Sequence, residues 1–595
     1  MDLYNFYTGK EFEAYEFLGA HVFDEGVTFR TFAPAASRIS VIGEFNGWTE
    51  TPMNRICDGN FWECTIYGAV QGQMYKYRIY GNNGTCRDHG DPFAFYSEVR
   101  PGTASVIWGR EGYSFTDEKW MSQKKDAYHQ PVNIYEMHFG SWKKKDQGYG
   151  PESWYSYEEL AEELIPYLKE QGYNYLEIMP LCEYPCDESW GYQGTGYFSP
   201  TSRYGTPEEL KCFIDQCHKA DIGVILDFVP VHFAVNDYAL ANYDGTALFE
   251  YPHIDVGRNE WGSCNFMHSR GEVCSFLQSC ALYWLKEFHF DGLRMDAVGN
   301  LIYWQGDKGR GENVAALKFL RVMNQGLKER FPQALLFAED STPYPGVTRP
   351  VSQGGLGFDY KWDLGWMHDT LSYFQSNTQE RRERYHQLTF SMMYFYNEKY
   401  ILPLSHDEVV HGKATIAQKM NGDYEGKFPQ ARAFYLYMYA HPGAKLNFMG
   451  NELAQLKEWG EKNELDWMLL DFPIHESFHR FMKDLNRCYL EDPALWAMEY
   501  EEGGFSWIDC HQEEKCIYAF YRRGGGQTIL AVFNFSEEEQ IYDLKMEEGE
   551  YRLLIASDQT IYGGEKDYGK QEQRIQGKSA SLTLSPFSGR YYVKE

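Results

Sequence analysis

The sequence lacks any apolar run that approaches the roughly 18 residues a membrane-spanning helix requires, so we expect no membrane partner. Its first residues, MDLYNFYTGKEFEAYEF, lack both a basic segment and an apolar core, so we expect no secretory signal peptide. It also lacks an excess of positive charge, since 86 acidic residues against 56 basic ones give a net charge of −30. Such a field repels a polyanion, so we expect no nucleic-acid partner.

The thirteen cysteines lack paired spacing, and the two closest in sequence, Cys182 and Cys186, are separated by three residues. No histidine cluster accompanies them, so we expect no zinc site, and no other metal-ligand pattern or cofactor motif is apparent. Their odd number and dispersion suggest reduced thiols, which predicts a cytoplasmic location.

Aromatic residues are abundant, at 17% of 595 residues, within an otherwise ordinary globular composition. Most are expected in the core, although aromatic faces also stack on sugar rings. Trp48 and Trp62 are open to either interpretation.

Three regions with different secondary-structure patterns follow one another along the chain. Residues 20–115 read as short alternating strands broken by turn residues, which indicates a β-sandwich. From residue 132, eight apolar runs alternate with helical stretches, which predicts a (β/α)8 barrel; a doubly wound sheet is the alternative. After about residue 500 the alternating strands return and indicate a second β-sandwich. We therefore expect a multidomain α/β protein with a central TIM barrel, divided into domains at 1–120, 121–495 and 496–595.

Two helix starts are marked by their capping residues. Ser156 is followed three residues later by Glu159, and Thr206 by Pro207 and Glu209. Both patterns are typical of a capping box, and Pro207 suits the first helical position.

Three acidic residues follow apolar, strand-like runs: Asp296 in GLRMDAV, Glu339 in ALLFAED and Asp407 in ILPLSHDEV. An isolated charge is costly inside a core, so packing does not explain them. On three successive barrel strands they would converge at one rim. One nucleophile, one proton donor and one positioning acid make up a site that cleaves glycosidic bonds.

The sequence resembles the α-amylase superfamily (glycoside hydrolase family 13) and, within it, the 1,4-α-glucan branching enzymes. DFVPVHF, GLRMDAV, FAED and LSHDEVVHGK are similar to the superfamily's four motif regions. YKWDLGWMHDT, WGYQGTGYF and MGNELAQLKEW are more typical of branching enzymes, and FAPAASRISVIGEFNGW is similar to a family 48 carbohydrate-binding module.

The resemblance implies a role for each matching residue. Asp296 matches the nucleophile, Glu339 the general acid/base and Asp407 the transition-state stabiliser. Residues that bind the sugar are matched by Tyr192, Asp227, His232, Arg294 and His406. For Asp227, an equally good interpretation is a structural ion pair with Arg294.

The expected activity is cleavage of an α-1,4-glucosidic bond and transfer of the chain to a 6-hydroxyl. The expected partner is α-1,4-glucan. We expect the enzyme to be a monomer that needs no cofactor and no metal. The alternatives are an α-glucan hydrolase, of a debranching or trehalose-releasing type, and a catalytically silent glucan-binding protein.

Overall fold

Eight parallel strands form a closed barrel in the computed structural model, which describes residues 1–123, 128–570 and 573–595. We label them β1 to β8 in barrel and chain order: Asn133–Met137, Tyr175–Ile178, Gly223–Phe228, Gly292–Met295, Leu335–Ala338, Tyr360–Trp362, Tyr400–Leu404 and Ala444–Phe448. All eight coincide with the apolar runs of the sequence. The side chains of every strand are buried, as expected where helices cover the outer face of a parallel sheet.

The longer helices, α1 to α7, are Tyr157–Gln171, Pro207–Lys219, Gly271–Glu287, Val314–Arg330, Leu364–Gln375, Tyr424–Ala440 and Pro473–Glu491. Both predicted capping boxes are present. The Ser156 amide donates to Glu159 Oε2 at 2.7 Å, and the Glu159 amide donates to Ser156 Oγ at 3.2 Å. Thr206 and Glu209 make the same reciprocal pair at the start of α2, with Pro207 at the first helical position.

The N-terminal residues form two antiparallel sheets, which confirms the predicted β-sandwich. In spatial order, the strands of the first sheet are Gly19–Phe23, Gly26–Phe32, Phe61–Tyr67 and Asn54–Ile56. The second sheet contains Thr51–Pro52, Ala36–Gly43, Met74–Gly81, Ser105–Val106 and Tyr96–Ser97, with Cys86–His89 paired to Met74–Gly81. Trp62 is buried and its indole N–H donates to the Ala33 carbonyl oxygen, so it is a core residue, whereas Trp48 is exposed.

The C-terminal residues form an all-β domain with one six-stranded sheet. Its strands, in spatial order, are Phe505–Gln512, Ile517–Gly524, Gln527–Asn534, Ser588–Lys594, Gln540–Ala556 and Arg574–Leu584. Alternate apolar side chains, among them Leu530, Val532 and Tyr592, build its core.

The expectation of three successive acid-bearing strands was wrong. Asp296 follows β4 and Glu339 follows β5, but Asp407 follows β7, because the short strand β6 intervenes. Strand β6 contains only three residues, Tyr360–Trp362. It is nevertheless a full member of the barrel, so the third acid lies one strand further round.

The described chain divides into two compact units. The first comprises Met1–Gln123, His138–Ile165 and Glu177–Phe358, and the other described residues form the second. Among the described residues, no helix combines the length and apolar character that crossing a bilayer demands.

Candidate active site

Arg294, on β4, contacts three carboxylates of the first unit. Its Nη1 donates to Asp227 Oδ1 and Oδ2 at 2.8 and 2.9 Å and to Asp296 Oδ1 at 2.8 Å. Its Nη2 lies 3.7 Å from Glu339 Oε2. Strand periodicity places residues 294 and 296 on one face, and parallel pairing sets Asp227 beside Arg294. One buried cation therefore gathers acids from the ends of three adjacent strands.

The backbone after β4 fixes Glu339. Ala297 adopts a left-handed conformation, with φ of 47°, and its amide donates to Glu339 Oε2. The next amide, of Val298, donates to the Glu339 carbonyl oxygen at 2.9 Å. The chain reversal after Asp296 thus holds the neighbouring carboxylate by both its side chain and its backbone.

The three carboxylates that contact Arg294 differ in solvent exposure, and therefore in whether a substrate can reach them. The Asp227 side chain is 1% exposed, whereas those of Asp296 and Glu339 are 14% and 22% exposed. A group that reacts with a polymer must be reachable, so Asp296 and Glu339 are available and Asp227 is not. The structural ion pair of Asp227 with Arg294 is present.

Tyr192 contacts both Asp227 and Arg294 in this cluster. The Tyr192 hydroxyl donates to Asp227 Oδ2, and the Tyr192 ring lies 5.8 Å from the Arg294 guanidinium carbon. Burial raises the pKa of Asp227 to about 7, and the Arg294 charge opposes that shift.

His232 is held beside Tyr192. Its Nε2 lies 3.0 Å from the Tyr192 carbonyl oxygen, to which it donates in the matching tautomer, and its ring centroid lies 5.4 Å from that of the half-exposed Trp261. Burial lowers the pKa of His232, which favours the neutral ring. Its Nδ1 is buried and has no hydrogen-bond partner within the described chain.

His406 and Asp407 lie in the second unit, directly after β7. Glu136, on β1, accepts from the His406 amide at 3.0 Å, and its Oε1 lies 2.6 Å from His406 Nδ1. This contact orients the ring and directs Nε2 towards Asp407 Oδ1, 3.5 Å away. The Asp407 side chain is half exposed, so it is reachable.

Sequence reasoning missed Glu136, Ala297 and Trp261. For Glu136 a signal existed, because a carboxylate inside the fully buried strand NIYEM needs a partner. Ala297 acts through its backbone amide, which no side-chain pattern reveals. Among the described residues, the one cluster spaced to hold a metal is His386, His511 and Glu513, which includes none of these site residues.

Three segments match known families. Residues 17–94 match carbohydrate-binding module 48 (isoamylase N-terminal domain), residues 161–244 the alpha amylase catalytic domain, and residues 507–595 the alpha amylase C-terminal all-beta domain. Together with the closed barrel, these matches define an enzyme of the α-amylase class.

Full-length relatives narrow this class. The chain is 44% identical to the 1,4-alpha-glucan branching enzyme GlgB of Fusobacterium nucleatum, over 97% of this chain and 95% of that one. It is 43% identical to the enzymes of the same name from Geobacillus stearothermophilus, over 100% and 93%, and Bacillus subtilis, over 98% and 94%. The chain therefore belongs to the 1,4-alpha-glucan branching enzyme family.

Solved structures support the fold. A pullulanase complexed with maltotetraose, from Anoxybacillus sp. LM18-11, aligns over 97% of this chain and 87% of its own, with a TM-score of 0.75 and 18% identity. A putative alpha amylase from Salmonella typhimurium aligns over 97% and 100%, with a TM-score of 0.72 and 18% identity.

Proposed function

We propose that Asp296, Glu339 and Asp407 carry out the branching reaction of this glycosyltransferase by a retaining double displacement on α-1,4-glucan. Asp296 attacks the anomeric carbon while Glu339 protonates the departing 4-oxygen, which leaves a covalent glycosyl-enzyme. Glu339, now ionised, takes the proton of an acceptor 6-hydroxyl as that oxygen displaces Asp296 and forms the α-1,6 branch. The observation that carries this assignment is the contact of Arg294 with both Asp296 and Glu339.

Charge distribution supports these two roles. The proposed nucleophile, Asp296, lies 2.8 Å from the buried Arg294 guanidinium, which holds its carboxylate in position. A retaining enzyme needs its two carboxyl groups about 5–5.5 Å apart, close enough to reach one anomeric carbon. Attachment of both carboxylates to one guanidinium is compatible with that separation.

For Asp407 we propose stabilisation of the transition state. The carboxyl ends of parallel strands in a closed barrel lie on one rim, where catalytic residues of such barrels are found. Asp407 follows β7 and is held next to His406, which Glu136 orients. A negative charge there would stabilise the positive charge that develops on the distorted sugar ring.

For sugar binding we propose Tyr192, Asp227, His232, Arg294 and His406. Tyr192 offers its ring as a platform, and the two histidines offer imidazole nitrogens to hydroxyls. Asp227 and Arg294 are fully buried, so we propose that they contribute to sugar binding indirectly, by holding Tyr192 and Asp296 in position.

We propose a monomeric cytoplasmic enzyme that binds α-1,4-glucan and no nucleic acid. All thirteen cysteines are free, as expected in a reducing compartment, and the net charge of −30 opposes binding to a polyanion. We also keep the domain boundaries 1–120, 121–495 and 496–595; the outer two contain the matches at 17–94 and 507–595.

Transfer and hydrolysis differ in what attacks the glycosyl-enzyme, and one experiment separates them. Incubation with amylose should lower the iodine absorbance and create α-1,6 anomeric protons in the NMR spectrum, with few new reducing ends. One new reducing end for every bond cleaved would assign hydrolysis instead. An unchanged iodine absorbance and NMR spectrum would indicate a silent glucan-binding protein.

A further inference from the structure

A second group of polar side chains lies between the start of a short helix, His386–Thr389, and the end of the strand Phe505–Gln512. His386 Nε2 is 3.2 Å from Glu513 Oε1, and the rings of His386 and His511 have centroids 6.0 Å apart. One ligand atom from each of the three residues lies within 4.8 Å of the other two. Two imidazole nitrogens and one carboxylate oxygen therefore lie close to one another.

This spacing suits a small divalent ion. Zinc binds imidazole nitrogen and carboxylate oxygen at about 2.0–2.2 Å, so tetrahedral ligand atoms lie roughly 3.3 Å apart. His386 and Glu513 are already at that distance. The side chains of His386 and Glu513 are 59% and 41% exposed, so small rotamer changes can bring all three ligands together.

Cys510 lies beside His511 but outside the three-residue cluster, so its side chain would have to turn to become a fourth ligand. Its Sγ lies 3.8 Å from His511 Nε2. Cysteine binds a metal as the thiolate, so coordination by Cys510 would release the thiol proton. Two nitrogens, one oxygen and one sulfur favour a borderline ion such as Zn²⁺ or Co²⁺ over the hard ions Mg²⁺ and Ca²⁺.

The backbone next to His386 and the Nδ1 side of its ring have contacts before any ion binds. His386 Nδ1 lies 3.3 Å from Thr389 Oγ1, a contact that leaves Nε2 for the metal. The preceding residue, Tyr385, stacks on Tyr518 of the C-terminal sheet at 4.2 Å and 8°, and its hydroxyl donates to the Ile517 carbonyl oxygen. The backbone that carries His386 is therefore fixed against the sheet that carries His511.

We propose that His386, His511 and Glu513, with Cys510 as fourth ligand, bind one Zn²⁺-like ion that fastens the His386–Thr389 helix to the C-terminal sheet. The first ligand is far from the others in the sequence, so no spacing motif reveals them. The ion would stabilise the C-terminal all-β domain against separation from the chain that precedes it, and it takes no part in the transfer reaction.

The test uses the full chain, reduced and freed of metal by a chelator. Titration with Co²⁺ should give saturable visible absorption at one ion per chain, with a thiolate-to-cobalt band in the near ultraviolet, and Zn²⁺ should abolish both. Saturating Zn²⁺ should raise the unfolding temperature by a few degrees. His386→Asn with His511→Asn should weaken Co²⁺ binding at least tenfold and remove the Zn²⁺-dependent shift, and Cys510→Ser should remove only the thiolate band.

The matched control is His129→Asn. His129 forms another exposed histidine–glutamate ion pair, 3.4 Å from Glu501, and this variant should bind Co²⁺ as the unaltered chain does. Equal Co²⁺ binding by the unaltered chain and the His386→Asn/His511→Asn variant would overturn the site. So would the absence of saturable binding at submillimolar Co²⁺. A thiolate band that survives Cys510→Ser would overturn the fourth ligand.

Discussion

Arg294 Nη1 lies 2.8 Å from Asp296 Oδ1, and the two residues are only two positions apart in the chain. Residues separated by two point to the same side of a strand, so the pair is built into the local geometry of β4. The proposed nucleophile, Asp296, thus has its counter-ion within its own segment of the chain.

We expect Asp296→Ala to lower branching activity by at least about 10⁴-fold, because no glycosyl-enzyme can form. Branch formation measured by NMR on amylose checks this. Glucan affinity of the Asp296→Ala variant should persist, since the carbohydrate-binding module is unaltered. Asp237→Asn, a change at an exposed acid of the same unit, should retain full activity. Substantial activity in Asp296→Ala would move the nucleophile elsewhere.

Tyr192 can be tested by two substitutions that separate its ring from its hydroxyl. Tyr192→Phe removes the hydrogen bond to Asp227 and keeps the platform. A hydrogen bond to a charged group contributes about 1.5–3 kcal/mol, so kcat/KM should fall about 10-fold to 100-fold. Tyr192→Ala should lose more, mainly through a higher KM for glucan. Equal kinetics for Tyr192→Phe and the unaltered enzyme would show that the hydroxyl is dispensable.

The raised pKa of Asp227, about 7, predicts a pH dependence of activity. Below that pH the carboxyl gains a proton and loses part of its attraction for Arg294, so kcat/KM should decrease by up to about tenfold per pH unit. The folded-state pKa exceeds the unfolded value, so this group's contribution to stability grows as the pH falls from about 7 to about 4. The loss of activity is therefore not unfolding caused by Asp227.

The matching variant is Asp227→Asn. Its activity should be low, and the acid limb seen in the unaltered enzyme should be absent from its profile of kcat/KM between pH 5 and 8. An unchanged acid limb in Asp227→Asn would assign that titration to another residue.

Glu136→Gln tests how His406 is positioned. The glutamine keeps the size of the side chain but removes the charge that lies 2.6 Å from His406 Nδ1. We expect kcat to fall about 10-fold to 100-fold, because the preferred tautomer of His406 is lost. Glu158→Gln, on the first turn of α1, is the control and should change nothing. A kcat for Glu136→Gln equal to that of the control would exclude a positioning role.

Much of this fold follows from local sequence features. Parallel strands are buried on both faces, so each barrel strand reads as an apolar run, and capping pairs such as Ser156 and Glu159 mark helix starts. Strand β6 shows the limit of this reasoning. The sequence indicated this three-residue strand, yet the acids were expected on three successive strands, whereas β6 separates the second acid-bearing strand from the third.

The site was less predictable than the fold because its contacts join distant segments. An acid after an apolar run identifies Asp296 and Glu339, but nothing local shows that Arg294 reaches both. Glu136 and His406 are separated by most of the barrel sequence, and their pairing requires β1 and β7 to be in place. Their partnership is a property of the closed barrel and not of either segment.

The left-handed turn at Ala297 has an evolutionary consequence. The donor that restrains Glu339 there is a peptide N–H, present in every residue except proline. Glycine or asparagine at position 297 would tolerate the same φ and keep the donor. The anchor of the proposed acid/base, Glu339, therefore survives such substitutions at position 297, while an insertion or deletion in this turn would remove it at once.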